Sequence, residues 1–299
     1  MRTAVYIVAF IIISIAIAFT IRATNISDFL AKRIKNDNKK VTKTNEGKLP
    51  EDLDIAEKWE LPQVLEEISA ISYIGENRFA CIQDEAGTIF IYNTASGKIE
   101  KEIPFADQGD YEGLAVVGQD AYVLRADGQI FQVRNYSSPN PSTIEYKTHL
   151  TSKHDPEGMC YDPKKNRLLV AIKGSEPDSD DFKGIYSFDL KKLVMAEQPV
   201  LRINLKDKIF ENIEGKKKGS VMRPSEIAIH PETGDIYITE GTKPKLLVMD
   251  STGKIKTLKQ MKKSDFNQPE GISFSPQGTM YISNEGSKNP GNILELKGM

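Results

Sequence analysis

A glutamate opening a run of alternating apolar residues recurs along this chain, at intervals in the forties save for one longer gap. The stretches are "DYEGLAVVGQDAYVLRADGQIFQV" from Asp110, "DPEGMCYDPKKNRLLVAIKG" from Asp155, "RPSEIAIHPETGDIYITEGTKPKLLVMD" from Arg223 and "NQPEGISFSPQGTMYISNEG" from Asn267. A weaker copy, "EISAISYIGENRFACIQDEAGTIFIYN" from Glu67, carries Ser69 where the others carry Glu. The anchors are therefore Ser69, Glu112, Glu157, Glu226 and Glu270, spaced 43, 45, 69 and 44 residues apart. A period in the forties restricts the chain to repeat architectures, in which each unit is one supersecondary structure packed on its neighbours.

Each unit reads as strands, because its apolar residues alternate or form short β-branched runs bounded by turn residues. In the fourth unit "EIAIH", "DIYIT", "KLLVMD" and "KIKTLKQM" are successive strands, and four strands per period make a propeller blade. The repeats contain no segment with apolar spacing near 3.6 residues, which argues against a helical array. The last unit stops one strand short at Met299, while "AEKWELP" ahead of Ser69 sits as "EKEIPF" does ahead of Glu112. This N-terminal strand is expected to complete the last blade and close the ring, removing two sheet edges. The fold class is all-β, a five-bladed propeller, with six blades as the alternative if the 69-residue interval hides another. Two loops account for that interval more simply, the acidic "SEPDSDDFKG" at 175–184 and "KDKIFENIEGKKKGSVMR" at 206–223.

The chain has 299 residues, 39% of them apolar and a formal charge of −2, so it can bury a large core and carries no basic field for nucleic acid. The Lys216-Lys217-Lys218 run reads as a solvated loop. Residues 4–21, "AVYIVAFIIISIAIAFTI", hold no charge. That length exceeds a secretory h-region and reaches the span of a bilayer. The expected organisation is a transmembrane anchor over 1–21, a polar tether over 22–54 and the propeller over 55–299. Arg2 argues for a cytoplasmic N-terminus, while Arg22, Lys32, Arg33, Lys35, Lys39 and Lys40 argue the reverse by count. The localisation expected is the cell membrane, single-pass, with a periplasmic propeller; a cleaved and exported soluble form is the alternative. Cys81 and Cys160 lie in predicted strands of different blades and read as buried free thiols.

The first strand of a blade lines the propeller channel, so Glu112, Glu157, Glu226 and Glu270 should converge on one axis as metal ligands. A second ring is expected where the next strand ends: Glu85, Asp127, Glu240 and Glu285, with Lys173 in the third blade. The glycines beside the carboxylates would let the backbone turn closely. Facing carboxylates raise one another's pKa and call for positive charge. Calcium suits an oxygen-only donor set, whereas zinc prefers His and Cys. The alternative is internal pairing with Arg125, Lys173, Arg223 and backbone N–H groups. No catalytic residue can be assigned, since G-x-S-x-G, H-E-x-x-H and a phosphate-binding glycine loop are all missing from the sequence. His154 reads as a surface-loop histidine, with a channel-mouth acid or base as the alternative, and His149 ends a predicted outer strand.

At these residues the chain resembles the SdiA-regulated, or YjiK-like, family of bacterial propellers. The resemblance rests on the unit from Ser69, "DYEGLAVVGQDAYVLRADGQIFQV", "DPEGMCYD" and "PEGISFSPQGTMYISNEG", and runs from Trp59 to Met299. It implies a membrane-associated or periplasmic propeller holding calcium at its channel, with Glu112, Glu157, Glu226 and Glu270 as ligands. Ser69 departs from that acidic pattern. The layout is similar, more distantly, to gluconolactonase-type and phytase-like propellers. Two functions follow as expectations: a tethered module binding a small molecule or protein at a propeller face, and a calcium-dependent hydrolase of a lactone or phosphoester.

Overall fold

In the computed structural model, residues 53–211, 213, 221–287 and 289–297 are described. The expected anchor and nearly all of the tether lie outside them. Among the described residues no helix is long and apolar enough to cross a membrane.

Strand β1 (Ile55–Glu60) precedes five antiparallel sheets. Blade 1 is β2 (Ile68–Gly75), β3 (Arg78–Gln83), β4 (Thr88–Asn93) and β5 (Lys98–Pro104); blade 2 is β6 (Tyr111–Val117), β7 (Asp120–Arg125), β8 (Ile130–Arg134) and β9 (Ser142–Tyr146). Blade 3 contains β10 (Pro156–Asp162), β11 (Arg167–Ile172) and β12 (Phe182–Asp189), followed by an outer strand split into β13 (Val194–Met195) and β14 (Leu201–Asn204). Blade 4 is β15 (Glu226–Ile229), β16 (Ile236–Glu240), β17 (Lys245–Met249) and β18 (Ile255–Gln260). Blade 5 is β19 (Pro269–Phe274), β20 (Met280–Asn284) and β21 (Asn292–Leu296), completed by β1 pairing on β21.

The inner strands close a ring: β2 packs on β6, β6 on β10, β10 on β15, β15 on β19 and β19 on β2. Five blades and an N-terminal closing strand thus match the reading from the repeats. Among the described residues the long third interval holds the β11–β12 loop and the split outer strand, and no sixth blade.

The core is divided into five clusters, each between two neighbouring blades. This division explains the strand patterns. Middle strands have sheets on both faces and read as apolar runs, as in "TIFIYN" of β4, whereas the outermost β5, "KIEKEIP", alternates exposed and covered residues. Between blades 1 and 2, Phe105, Tyr111 and Phe131 meet edge to face with centroids 5.0–5.7 Å apart. Each such pair adds about 0.5–1.5 kcal/mol to the burial of its rings.

Candidate functional site: carboxylates at the channel mouth

The inner strands all begin at one face, the mouth, which also carries the loops between second and third strands. In four blades the ladder skips the anchor residue itself. Ile68 opposes Gln83 while Ala70 opposes Ile82, and the same slip straddles Glu112, Glu157 and Glu270. A one-residue bulge takes its side chain out of the strand's alternation and re-aims it. The glycine after the anchor serves close packing between blades. A Cβ on Gly113 would lie 2.8 Å from the Glu157 carbonyl oxygen, and one on Gly158 would lie 2.7 Å from Glu226 Cα. One on Gly271 would lie 3.0 Å from Ile71 Cγ1. None of the three has a positive φ, so the expected role in turning the chain is corrected: these glycines let inner strands of adjacent blades touch.

The anchors divide into stitching and charged groups. Ser69 Oγ donates to the Tyr111 carbonyl at 2.7 Å, tying blade 1 to blade 2. Glu226, 1% exposed, accepts from the Met159 and Ile227 N–H groups through Oε1 at 2.6 and 2.9 Å, tying blade 4 to blade 3. Its Oε2 is buried without a hydrogen-bond partner, and burial holds the carboxyl well above the usual range. Glu157 receives the Lys173 ammonium at 2.9 Å, from the end of β11. Burial pushes Glu157 up to about 8 despite that partner, with Glu270 and Asp155 raising it further. Glu112 is pushed up to about 10 by burial, by the charges of Glu157 and Asp110, and by a hydrogen bond to Asp110 that needs a proton between the two carboxyls. Burial likewise raises Glu270, which Lys173 partly offsets. The four anchors therefore act on one another around one axis, and the facing ammonium is Lys173.

The expected second ring does not assemble. Glu285 alone among its carboxylates joins the first, hydrogen-bonded to Gln268 and raised to about 7 by burial and by Glu270, Asp84 and Glu67. Asp127 is exposed and paired with Arg125 at 2.8 Å, and Glu85 is exposed. Glu240 is buried against Lys245 at 2.8 Å and accepts from the Arg223 N–H at 3.0 Å. Arg125 is thus taken by Asp127, and the Arg223 guanidinium lies 4.0 Å from Asp155. Sequence reasoning missed Asp84 and Glu67, which precede no repeated glycine. Their signal was only their place at strand ends facing the same mouth. His154 is not a surface residue: it is 8% exposed, packed on His149 and Tyr186, with Nδ1 accepting the Thr151 N–H at 3.1 Å.

Calcium meets the right kind of donor here, oxygens without His or Cys, and the orphaned Glu226 Oε2 is one unmet acceptor. Its spatial demand is not met. Calcium takes about six to eight oxygens, and among the described residues no three His, Cys, Asp or Glu side chains are grouped to hold one ion. The Lys173 ammonium lies where the compensating charge is needed, so the ring as arranged does not fit the ion. Beyond the ring, toward the opposite face, a channel cavity of about 240 Å³ is walled by Ile71, Leu114, Met159, Ile227 and Ile272.

Among solved structures, the glutaminyl cyclase of Myxococcus xanthus is similar with a TM-score of 0.56 at 16% identity, covering 82% of this chain and 95% of that one. Hydrazine synthase of Kuenenia stuttgartiensis aligns with a TM-score of 0.44 at 14% identity, covering 77% of this chain and 58% of that one. A protein of unknown function from Bacteroides caccae aligns at 0.41 and 11%, covering 72% and 64%. The first of these likenesses bears on the fold alone. No curated protein matches the sequence. The SdiA-regulated family model matches residues 51–289, from the closing strand to the end of the last repeated motif. The chain belongs to the SdiA-regulated family.

Proposed function

We propose that the chain is a membrane-tethered binding propeller of the cell envelope whose acidic mouth receives a cationic group of a small molecule or protein partner. The observation carrying this reading is the charge imbalance where blades 5, 1 and 2 meet. Glu270, Asp84 and Glu67 raise Glu285 there, Glu67 raises Asp84 and Asp110 raises Glu112, with Lys173 the cation that reaches Glu112, Glu270 and Glu285. Asp84 Oδ1 is buried without a partner, so one acceptor is already waiting. A cleft lined by one sign of charge concentrates ligands of the other. A ligand ammonium would stabilise the ionised carboxylates and expel the protons they hold, so binding should strengthen as pH rises from about 6 to 8. The expected anchor at 4–21 and tether at 22–54 would hold the propeller on the periplasmic side. The glutaminyl cyclase likeness transfers no activity.

Spermine is a suitable probe, titrated calorimetrically into the full-length protein at low salt. Binding should weaken about tenfold, some 1.4 kcal/mol, in Asp84→Asn/Glu285→Gln and stay unchanged in Asp127→Asn. Absent heat, or equal binding by the double variant, overturns the reading. Calcium titrated alongside separates the rival. Chelator-reversible calcium binding lost in Glu157→Gln would put a divalent ion in place of the ligand cation, as the hydrolase alternative requires.

A further inference from the structure

On the face opposite the mouth, a cleft of about 310 Å³ opens between blades 3 and 4. Its floor is apolar, formed by Leu169, Leu201, Ile229 and Ile236, all from the cluster that seals these two blades elsewhere. The gap lies where blade 3 departs from the others. Its outer strand stops at Met195 and resumes at Leu201, so one residue of the cleft wall stands at the point where the chain rejoins the sheet.

The rim of this cleft is basic. Lys164 and Lys165 come from the β10–β11 turn, and Arg167 from the start of β11. Asp162, the acid on that wall, is engaged: its carboxylate accepts from Arg167 Nε at 3.0 Å and from the Lys164 N–H at 3.2 Å. Asp235 nearby is taken by Lys256 at 2.7 Å. Lys164 Nζ reaches across the cleft to within 2.9 Å of where a Cβ on Gly234 would stand. His230 forms part of the far wall, its Nδ1 held by the Glu232 and Thr233 N–H groups at 3.3 Å, and burial lowers its pKa.

We propose that this cleft is a second binding site, for a small amphipathic anion: an apolar body against Leu169, Leu201 and Ile236, and a carboxylate or similar acid at Lys164 and Lys165. Concave, mainly apolar pockets with a few convergent polar groups are the usual form of small-molecule sites, and about 300 Å³ is the lower end of their range. Lys164 and Lys165, in no ion pair among the described residues, select the sign of the ligand's charge, and the apolar floor selects its body. The site lies on the face away from the carboxylate ring and depends on none of its residues.

The test uses the full-length protein and three probes of equal chain length, octanoate, octylammonium and 1-octanol, followed by saturation-transfer NMR and calorimetry. Octanoate should bind one per chain, more tightly than the other two by about tenfold or more. Lys164→Glu should remove that preference without changing the melting temperature. Leu201→Trp, which fills the floor, should remove octanoate binding altogether. A Leu201→Trp protein that melts early is replaced by Ser251→Trp, which blocks the rim from an exposed turn. No octanoate binding, equal binding of the three probes, or octanoate binding indifferent to Lys164→Glu would each overturn the proposal.

Discussion

Four glutamates at equivalent repeat positions have different electrostatic fates, decided by what the neighbouring blade offers each. Glu226 finds two backbone N–H groups and no cation, and burial raises its carboxyl well above the usual carboxylate range. Its Oε1 serves as the acceptor for both. Glu226→Gln keeps that acceptor and should leave the melting temperature at pH 7 nearly unchanged. Glu226→Ala strands two buried donors and should cost about 2–6 kcal/mol, since each unsatisfied group costs about 1–3. Paired thermal melts decide it. Glu157 has the opposite fate, because Lys173 reaches it. That lysine was legible in the sequence as the third blade's exception to an acidic position.

At the scale of strands, spacing inside the ring is set by the glycines. Gly158→Ala drives a methyl into the backbone of β15, at 2.7 Å from Glu226 Cα and from the Ile227 nitrogen, both of which belong to a hydrogen-bonded strand. Overpacking against a backbone that cannot yield costs about 1–3 kcal/mol. The melting temperature should fall by about 2–4 °C for each of them in a domain of this size. Chemical unfolding followed by tyrosine fluorescence reads the same loss.

The repeats disclosed blade number, strand order and closure because two-sided burial and turn residues leave marks every few positions. The bulges left none, since "YEGLAVV" and "PEGISF" read equally well as regular strands, and so the glycines passed for turn residues. The second ring failed for a related reason. The loops after the second strands of blades 1, 2 and 4 are each four residues long, but Glu240 is the last residue of β16 whereas Glu85 and Asp127 stand two residues past the ends of β3 and β7, so similar spacing delivered them to unlike places. The interruption at 196–200 was hidden because "LVMAEQPVLRINL" keeps its apolar content through the break.

For the whole molecule, closure rests on β1. Its Trp59 lies 6.4 Å from Tyr281, and the Leu61 N–H donates to the Gly291 carbonyl at 2.8 Å, both in blade 5. Deleting Ile55–Glu60 bares the edge of β21 and opens the ring at one seam. The protein should then unfold at least about 10 °C lower, or associate through that edge. A synthetic "IAEKWELP" peptide added in trans should restore part of the loss. Scanning calorimetry with sedimentation would find an unchanged melting temperature and an unchanged mass if the strand were dispensable.

Charge at the mouth gives the molecule a pH dependence of definite sign. Glu285, Glu157 and Glu112 are raised to about 7, about 8 and about 10, so above their ordinary range the folded chain holds protons that the unfolded chain has released. Stability from these groups is full below the ordinary carboxylate range and falls as pH rises toward 10. Lys173 limits the fall by making ionised Glu157 tolerable. Thermal melts of the wild type and Lys173→Met from pH 5 to 9 test this most directly. The wild type should lose melting temperature with rising pH, and the variant should lose it more steeply, the gap being small at pH 5 and widest at pH 9. A gap that stays constant across that range, or two flat profiles, would show that the carboxylates do not share one ring around Lys173.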